Sequence, residues 1–207
     1  MPSEPTLDGM AGAVQGCRGC GLYARATQAV FGEGAAGARV MLVGETPGDK
    51  EDLAGHPFVG PSGKLLDAAL AEAGIDRAQA YVTNVVKHFK WRAAPYGSGR
   101  RRLHDKPNAY EIGACRPWLE REIAAVRPVI LVCLGATAAQ AVLGASFRVS
   151  RDRGRFFDSD LAPAVMATLH PSAILRADDR AAQMDGFIAD LRLVAERLAA
   201  TGPEERG

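Results

Sequence analysis

Glu45, Asn84 and His170 each stand where an apolar, β-branched run gives way to glycine, charge or proline. Between them they offer a carboxylate, an amide and an imidazole. If the three runs are parallel strands of one sheet, the three side chains leave it at the carboxyl edge, where open α/β sheets usually bind ligands. Three coincidences then become one site. Taken alone each is ordinary: a strand-end asparagine more often caps a turn than binds a ligand, and an unpaired buried amide costs about 1–3 kcal/mol. Phe58 is the aromatic of the loop after Glu45. The four cysteines make a second candidate set, with Cys17 and Cys20 in a C-x-x-C pair, Cys115 in an amphipathic helical segment and Cys133 in an apolar run. Four thiols suit a [4Fe-4S] cluster or a structural zinc. Cys115 and Cys133 read equally well as small core residues, and spacing alone leaves these readings open.

A third candidate is the stretch from Lys87 to Lys106, which holds seven Lys or Arg residues against the single acid Asp105. It is too long and glycine-broken for a helix and too charged for a core strand, so it reads as a long surface loop. Such loops are usually functional or disordered. Arg100, Arg101 and Arg102 lie beside Phe89, Trp91 and Tyr96. Cations for phosphate next to flat faces for bases suit a single-strand or flipped-base site; a solvated basic loop is the plainer reading. His88 and His104 are the histidines of this segment.

The elements that must position these residues alternate strand and helix. Strands are expected at 39–43, 81–86, 128–134 and 163–169, and helices at 62–73, 110–126, 136–143 and 178–200, with a small hairpin over 148–158 turning at Gly154. This is an α/β domain with a four-stranded, mainly parallel sheet between helices. Gly60-Pro61-Ser62-Gly63 opens a helix with Ser62 as its N-cap, where free amides can hold an anion such as phosphate. Asp49, Lys50, Glu51 and Asp52 are expected to keep the preceding loop wet. Residues 1–10 read as unstructured, 11–200 as one domain and 201–207 as a polar tail.

Bulk properties narrow the class. At 207 residues, 47% hydrophobic and 24% charged, the chain is sized for one domain with a substantial core. No apolar run approaches a membrane span, and MPSEPTLDGM lacks the marks of a secretion signal, so a cytoplasmic location without membrane partners is expected. A net charge of +1 does not by itself suggest a nucleic-acid binder. Two motifs mislead. Gly63-Lys64 resembles the end of a P-loop, but Phe58 occupies the place of its first glycine and Leu65 that of its Ser or Thr. Gly32 to Gly37 fits G-x-G-x-x-G but precedes a strand instead of following one.

GETPGDKEDLAGHPFVGPSGKLLD, YVTNVVKHFK, the C-x-x-C pair with two later cysteines, LVCLGATAA and LHPSAILR together resemble family 4 uracil-DNA glycosylases over about residues 15–195. GRRRLHDKP resembles the insertion of the cross-linking branch called UdgX. The resemblance implies a four-stranded parallel sheet between helices and a [4Fe-4S] cluster on Cys17, Cys20, Cys115 and Cys133, with a structural and DNA-positioning role. It implies uracil-containing DNA as partner, single-stranded and also duplex, bound by a monomer. Phe58 would stack on the extruded uracil, Asn84 would read its polar edge, and Gly44 and Thr46 would complete the base site. His170 would donate to uracil O2, and Glu45 would face the positive charge that develops on the sugar. Ser62, Gly63, Ser172, Arg176, Lys87, Arg100, Arg101 and Arg102 would contact DNA. The branch implies that His104, neutral and nucleophilic near pH 7, attacks C1' and leaves the protein attached to an abasic site. Where that branch usually has glutamine after the motif glutamate, this chain has Thr46. The alternatives are an ordinary glycosylase using water and a non-catalytic iron-sulfur DNA-binding protein.

Overall fold

The computed structural model describes residues 6–95 and 101–202. A first helix, α1 (Leu7–Val14), is followed by strand β1 (Val40–Gly44), two helices α2 (Asp49–Ala54) and α3 (Pro61–Glu72), and strand β2 (Ala80–Asn84). A hairpin of β3 (Trp91–Ala93) and β4 (Arg102–His104) precedes the long helix α4 (Ala109–Val126). Then come β5 (Ile130–Leu134), α5 (Ala136–Leu143), a single turn α6 (Val149–Asp152), β6 (Phe156–Ser159), β7 (Ala162–Thr168), α7 (Pro171–Leu175) and α8 (Arg180–Ala200).

The main sheet has five strands in the order β2-β1-β5-β7-β6, the first four mutually parallel and β6 antiparallel at the edge. The parallel strands are near-continuous apolar runs because both faces are covered. Val40, Leu42, Ile130, Val132, Ala164 and Met166 face α3, α7 and α8, where Leu66, Leu70, Ile174, Phe187 and Leu191 complete one core. Met41, Val43, Leu131, Cys133, Val165 and Ala167 face the other way, against Met10, Val14, Cys115, Trp118 and Ile123. Register brings Gly44 level with Asn84, Val43 with Cys133 and Cys133 with Ala167. The strand exits therefore share one rim.

Several expectations are corrected. The sheet has a fifth strand: the segment before Gly154 is helical, and β6 pairs with β7 in the main sheet instead of forming a separate hairpin. Residues 6–10 are not unstructured, because Thr6 Oγ1 caps α1 at the Gly9 amide, 3.1 Å away, and Met10 is wholly buried. The start of the chain before Thr6 and the tail after Gly202 lie outside the described residues. The loop after β1 contains α2, whose Glu51 and Asp52 are buried. Helix α3 starts at Pro61 with Gly60 as N-cap, two residues before the expected cap Ser62. The basic segment is in part a β-hairpin, and its first residues Lys87, His88 and Phe89 are buried. Among the described residues no helix is long and apolar enough to cross a membrane.

Candidate active site

A cleft of about 530 Å³ opens at the carboxyl rim of the sheet, lined by the loop after β1, the ends of β2 and β5, the starts of α2 and α3, the β4 arm, α5 and α7. Glu45 is the first residue beyond β1. Its Oε2 accepts a hydrogen bond from Thr137 Oγ1 in the first turn of α5, which leaves Oε1 turned to His104. His104 Nε2 lies 3.6 Å from Glu45 Oε1, beyond hydrogen-bond length, and would form an ion pair with it only when protonated. Nearly half of the His104 side chain (45%) remains exposed. Its packing near Phe89, with ring centroids 6.2 Å apart, still takes part of the ring out of water. That burial lowers its pKa, with the Glu45 carboxylate opposing and the Arg176 guanidinium reinforcing the shift. His104 is thus held neutral at pH 7.

Asn84 ends β2 and Phe58 closes over it from the loop before α3. Both crowd Gly44, where an added Cβ would lie 2.4 Å from Asn84 Oδ1 and 2.8 Å from Phe58 Cζ. Only glycine at position 44 leaves room for both side chains at this strand exit. Phe58 takes a left-handed φ of 57°, a conformation that costs a non-glycine residue roughly 1–2 kcal/mol. It is fixed there by Gly63, whose Cβ would run into the Phe58 carbonyl, and by Glu51, whose Oε1 accepts from the Gly60 amide at 2.8 Å and whose Oε2 accepts from Gly48 at 3.1 Å. The Phe58 and His170 rings lie within 29° of parallel with centroids 6.4 Å apart. His170 caps α7 by accepting the Ser172 amide on Nδ1 at 3.1 Å. The proton of the neutral ring must then sit on Nε2. Burial, helped by His104 and Arg176, pushes the His170 pKa down to about 4.

The arm that carries His104 is pinned by Arg102. Its Nε donates to Asp49 Oδ1 at 2.6 Å and its Nη1 to Asp52 Oδ2 at 2.5 Å, while its guanidinium carbon sits 5.3 Å from the Phe89 ring centre and 5.8 Å from that of Trp91. Asp52 also accepts from Thr27 N and Oγ1 at 2.9 and 2.6 Å. Thr46 is buried and donates from Oγ1 to the His88 carbonyl at 2.8 Å, tying the loop after β1 to the chain that leads into the arm.

The structure thus brings Glu45, Thr46, Phe58, Ser62, Asn84, His104, His170, Ser172 and Arg176 to one cleft. Lys87, Arg102 and the Gly63 and Ser172 amides are corrected. Lys87 has no exposed surface and is ion-paired with Glu122, so it cannot reach a DNA phosphate. Arg102 is spent on Asp49 and Asp52. The Gly63 and Ser172 amides are not free for phosphate, being bonded to Gly60 O at 3.0 Å and to His170 Nδ1. Arg101 is exposed outside the cleft lining, and Arg100 and Tyr96 lie outside the described residues. The sequence reading missed Thr137, Glu51, Asp49 and Asp52. Asp49 and Asp52, three apart, share one face of α2, and that acidic pair opposite an arginine triplet was the available signal.

Cys20, Cys115 and Cys133 are buried in the core between the sheet and α4, and Cys17 packs against it. Burial pushes the Cys115 thiol up to about 11 against the Lys87 charge, with Cys20 and Cys17 adding to the rise; burial also raises Cys133. Two N–H groups nevertheless aim at sulfur, Lys87 N at Cys115 Sγ (3.2 Å) and Trp118 Nε1 at Cys17 Sγ (3.4 Å). Donors of that kind favour thiolates, as an iron-sulfur cluster would require. Among the described residues no three His, Cys, Asp or Glu side chains are grouped to hold a single metal ion.

A parallel α/β sheet with a polar, aromatic-walled cleft at its strand exits defines an enzyme-like ligand site. Comparison with known proteins gives the family. The model of the uracil DNA glycosylase superfamily matches residues 31–192. The chain is 35% identical over 177 residues to the type-4 uracil-DNA glycosylase of Archaeoglobus fulgidus, covering 82% of this chain and 83% of that one. It is likewise 35% identical to the Thermotoga maritima type-4 uracil-DNA glycosylase, over 84% and 85% of the two chains. The Sulfurisphaera tokodaii enzyme of the same type is 36% identical over 77% and 71%. This chain belongs to the uracil DNA glycosylase superfamily.

Proposed function

We propose that this protein removes uracil from DNA and is itself captured on the resulting sugar through His104. The observation that carries the reading is the approach of His104 Nε2 to 3.6 Å from Glu45 Oε1 in the cleft that also holds Asn84, Phe58 and His170. An extruded uracil stacks on Phe58 while the Asn84 amide meets its polar edge, offsetting the few kcal/mol of unstacking. The bond between C1' and N1 breaks with its electron pair passing to uracil. His170, neutral with its proton on Nε2, donates to O2 as that charge develops, and the Glu45 carboxylate faces the cationic sugar. The His104 nitrogen lone pair then forms a bond to C1', and its ring proton passes to Glu45 or solvent. The product is an imidazole joined to the abasic sugar, a poor leaving group once neutral. Thr46, which stands where the cross-linking branch usually has glutamine, bonds the His88 carbonyl and so ties down the arm's base.

Cys17, Cys20, Cys115 and Cys133 would hold a [4Fe-4S] cluster, supplying a rigid structural cross-link beside α4. The aimed N–H groups and the shared core support that reading.

Incubation with uracil-containing single-stranded DNA should give a species that survives boiling in detergent, with an intact mass equal to protein plus abasic strand less one water. His104→Ser should abolish it and release free abasic DNA. Free abasic product from the unsubstituted protein would assign water as the nucleophile instead. Unchanged DNA from both would point to a binding protein without catalysis.

A further inference from the structure

A wholly buried ion pair lies beside the last residue of β2. Lys87 and Glu122 have no exposed side-chain surface. Lys87 Nζ donates to Glu122 Oε2, to Thr83 Oγ1 at 2.6 Å and to the main-chain carbonyl of Asn84 at 2.7 Å. All three ammonium donors are thereby used. Glu122 is equally committed, with Oε1 accepting from the Gly32 amide at 3.0 Å, Tyr81 Oη at 3.0 Å and Thr83 Oγ1 at 2.9 Å.

Such a pair is not explained by stability. Taking two charges out of water is costly, and an apolar pair of like volume commonly does as well or better. What an apolar pair cannot do is hold a carbonyl. The carbonyl held here belongs to the last residue of β2. Between Asn84 and Lys87 the chain turns off the sheet, and the two amides inside that turn donate to the neighbouring strand exit, Val85 N to Gly44 O at 2.9 Å and Val86 N to Glu45 O at 3.1 Å. Lys87 folds back over this turn and closes it. The Lys87 amide, bonded to Cys115 Sγ, ties the same turn to α4, which also carries Glu122.

We propose that Lys87 is a positioning residue for Asn84: its ammonium, seated on Glu122, fixes the Asn84 carbonyl and so aims that residue's amide at the base in the cleft. The inference rests on the reading of Asn84 as the group that meets uracil. A misdirected amide near the reacting base costs rate far more than fold, on the scale of roughly tenfold to a hundredfold for a displacement of about an ångström.

The test is a double-mutant cycle on single-turnover excision from a uracil-containing single-stranded oligonucleotide, using Asn84→Ala, Lys87→Met and both together in the full chain. If Lys87 acts through Asn84, Lys87→Met slows excision by about tenfold or more, and adding it to Asn84→Ala lowers the rate no further than about twofold. A Lys87→Met factor that multiplies fully onto Asn84→Ala, or a Lys87→Met protein with unaltered excision, overturns the proposal. Lys87→Met/Glu122→Gln removes both charges while keeping an acceptor for Tyr81 and Gly32. It replaces the single variant in the same cycle if Lys87→Met alone fails to fold. Asn84→Ala with unaltered excision would instead sink the site reading itself, a result distinct from non-coupling.

Discussion

The two walls of the cleft are built from different forces. Glu45, Asn84 and His170 leave parallel strands of one sheet, β1 and β2 side by side and β7 one strand beyond, whose backbone ladders and two-sided cores fix their spacing. Opposite them, His104 rides on a three-residue strand, exposed in good part and anchored through the charges and ring contacts of Arg102. Ladder and core geometry is insensitive to salt and tolerant of single surface changes; an electrostatic tether is neither. The chemistry assigned to the two walls differs in the same way. In the proposed mechanism the sheet side handles base recognition and bond cleavage, and the arm side decides what happens to the sugar afterwards.

The contrast can be broken by experiment. Glu45→Gln keeps the shape and removes the charge facing the sugar, so it should lower both excision and adduct formation by about 10²–10³, the usual scale for one electrostatic contact at a reacting centre. Equal loss in both assays checks it. Arg102→Met should divide them. It leaves Asp52 buried without its cation, a loss for which a wholly buried pair would give about 3–5 kcal/mol and this partly open one less. Adduct yield should fall about tenfold or more while excision changes by a few-fold at most; parallel losses would show that the arm also serves base removal.

Acid should act on both walls through their histidines. Burial sets the His170 pKa near 4 against an ordinary 6.5, so the unfolded chain binds that proton more readily. Stability should be flat above about pH 6.5 and fall as pH drops toward 4, by on the order of 3 kcal/mol from this group, read by denaturant titration at each pH. His104 is shifted in the same direction, so adduct formation should decline in acid as its lone pair is lost. The smallest effect is expected from Thr46→Val, which strands the His88 carbonyl at a cost of about 1–3 kcal/mol. Its melting temperature should drop by a few degrees, with adduct yield reduced more than excision.

Much of the sheet wall was legible in the sequence, because β-branched runs, strand exits and helix stripes are local patterns. The runs read at 39–43 and 128–134 are strands in the main, the one read at 81–86 leaves the sheet after Asn84, and Glu45 and His170 share their rim. What periodicity could not show was pairing between distant segments. Lys87 looked like a free cation until Glu122, 35 positions on, was found buried against it. Asp52 looked solvated until Thr27 and Arg102 closed on it from either side. Nothing local marks β6 as an edge strand of the main sheet, since its antiparallel partner fixes that.

The sequence by itself determined the α/β order, the chemical types gathered at the rim and the membership of the superfamily, since each of these is written in short-range pattern and motif. Only the tertiary structure decided which charges are spent inside the protein and which face the cleft, and how near His104 stands to Glu45. Burial and distance between residues far apart in the chain are properties of the folded packing, and they set both the protonation state and the reach of the groups that would do the chemistry.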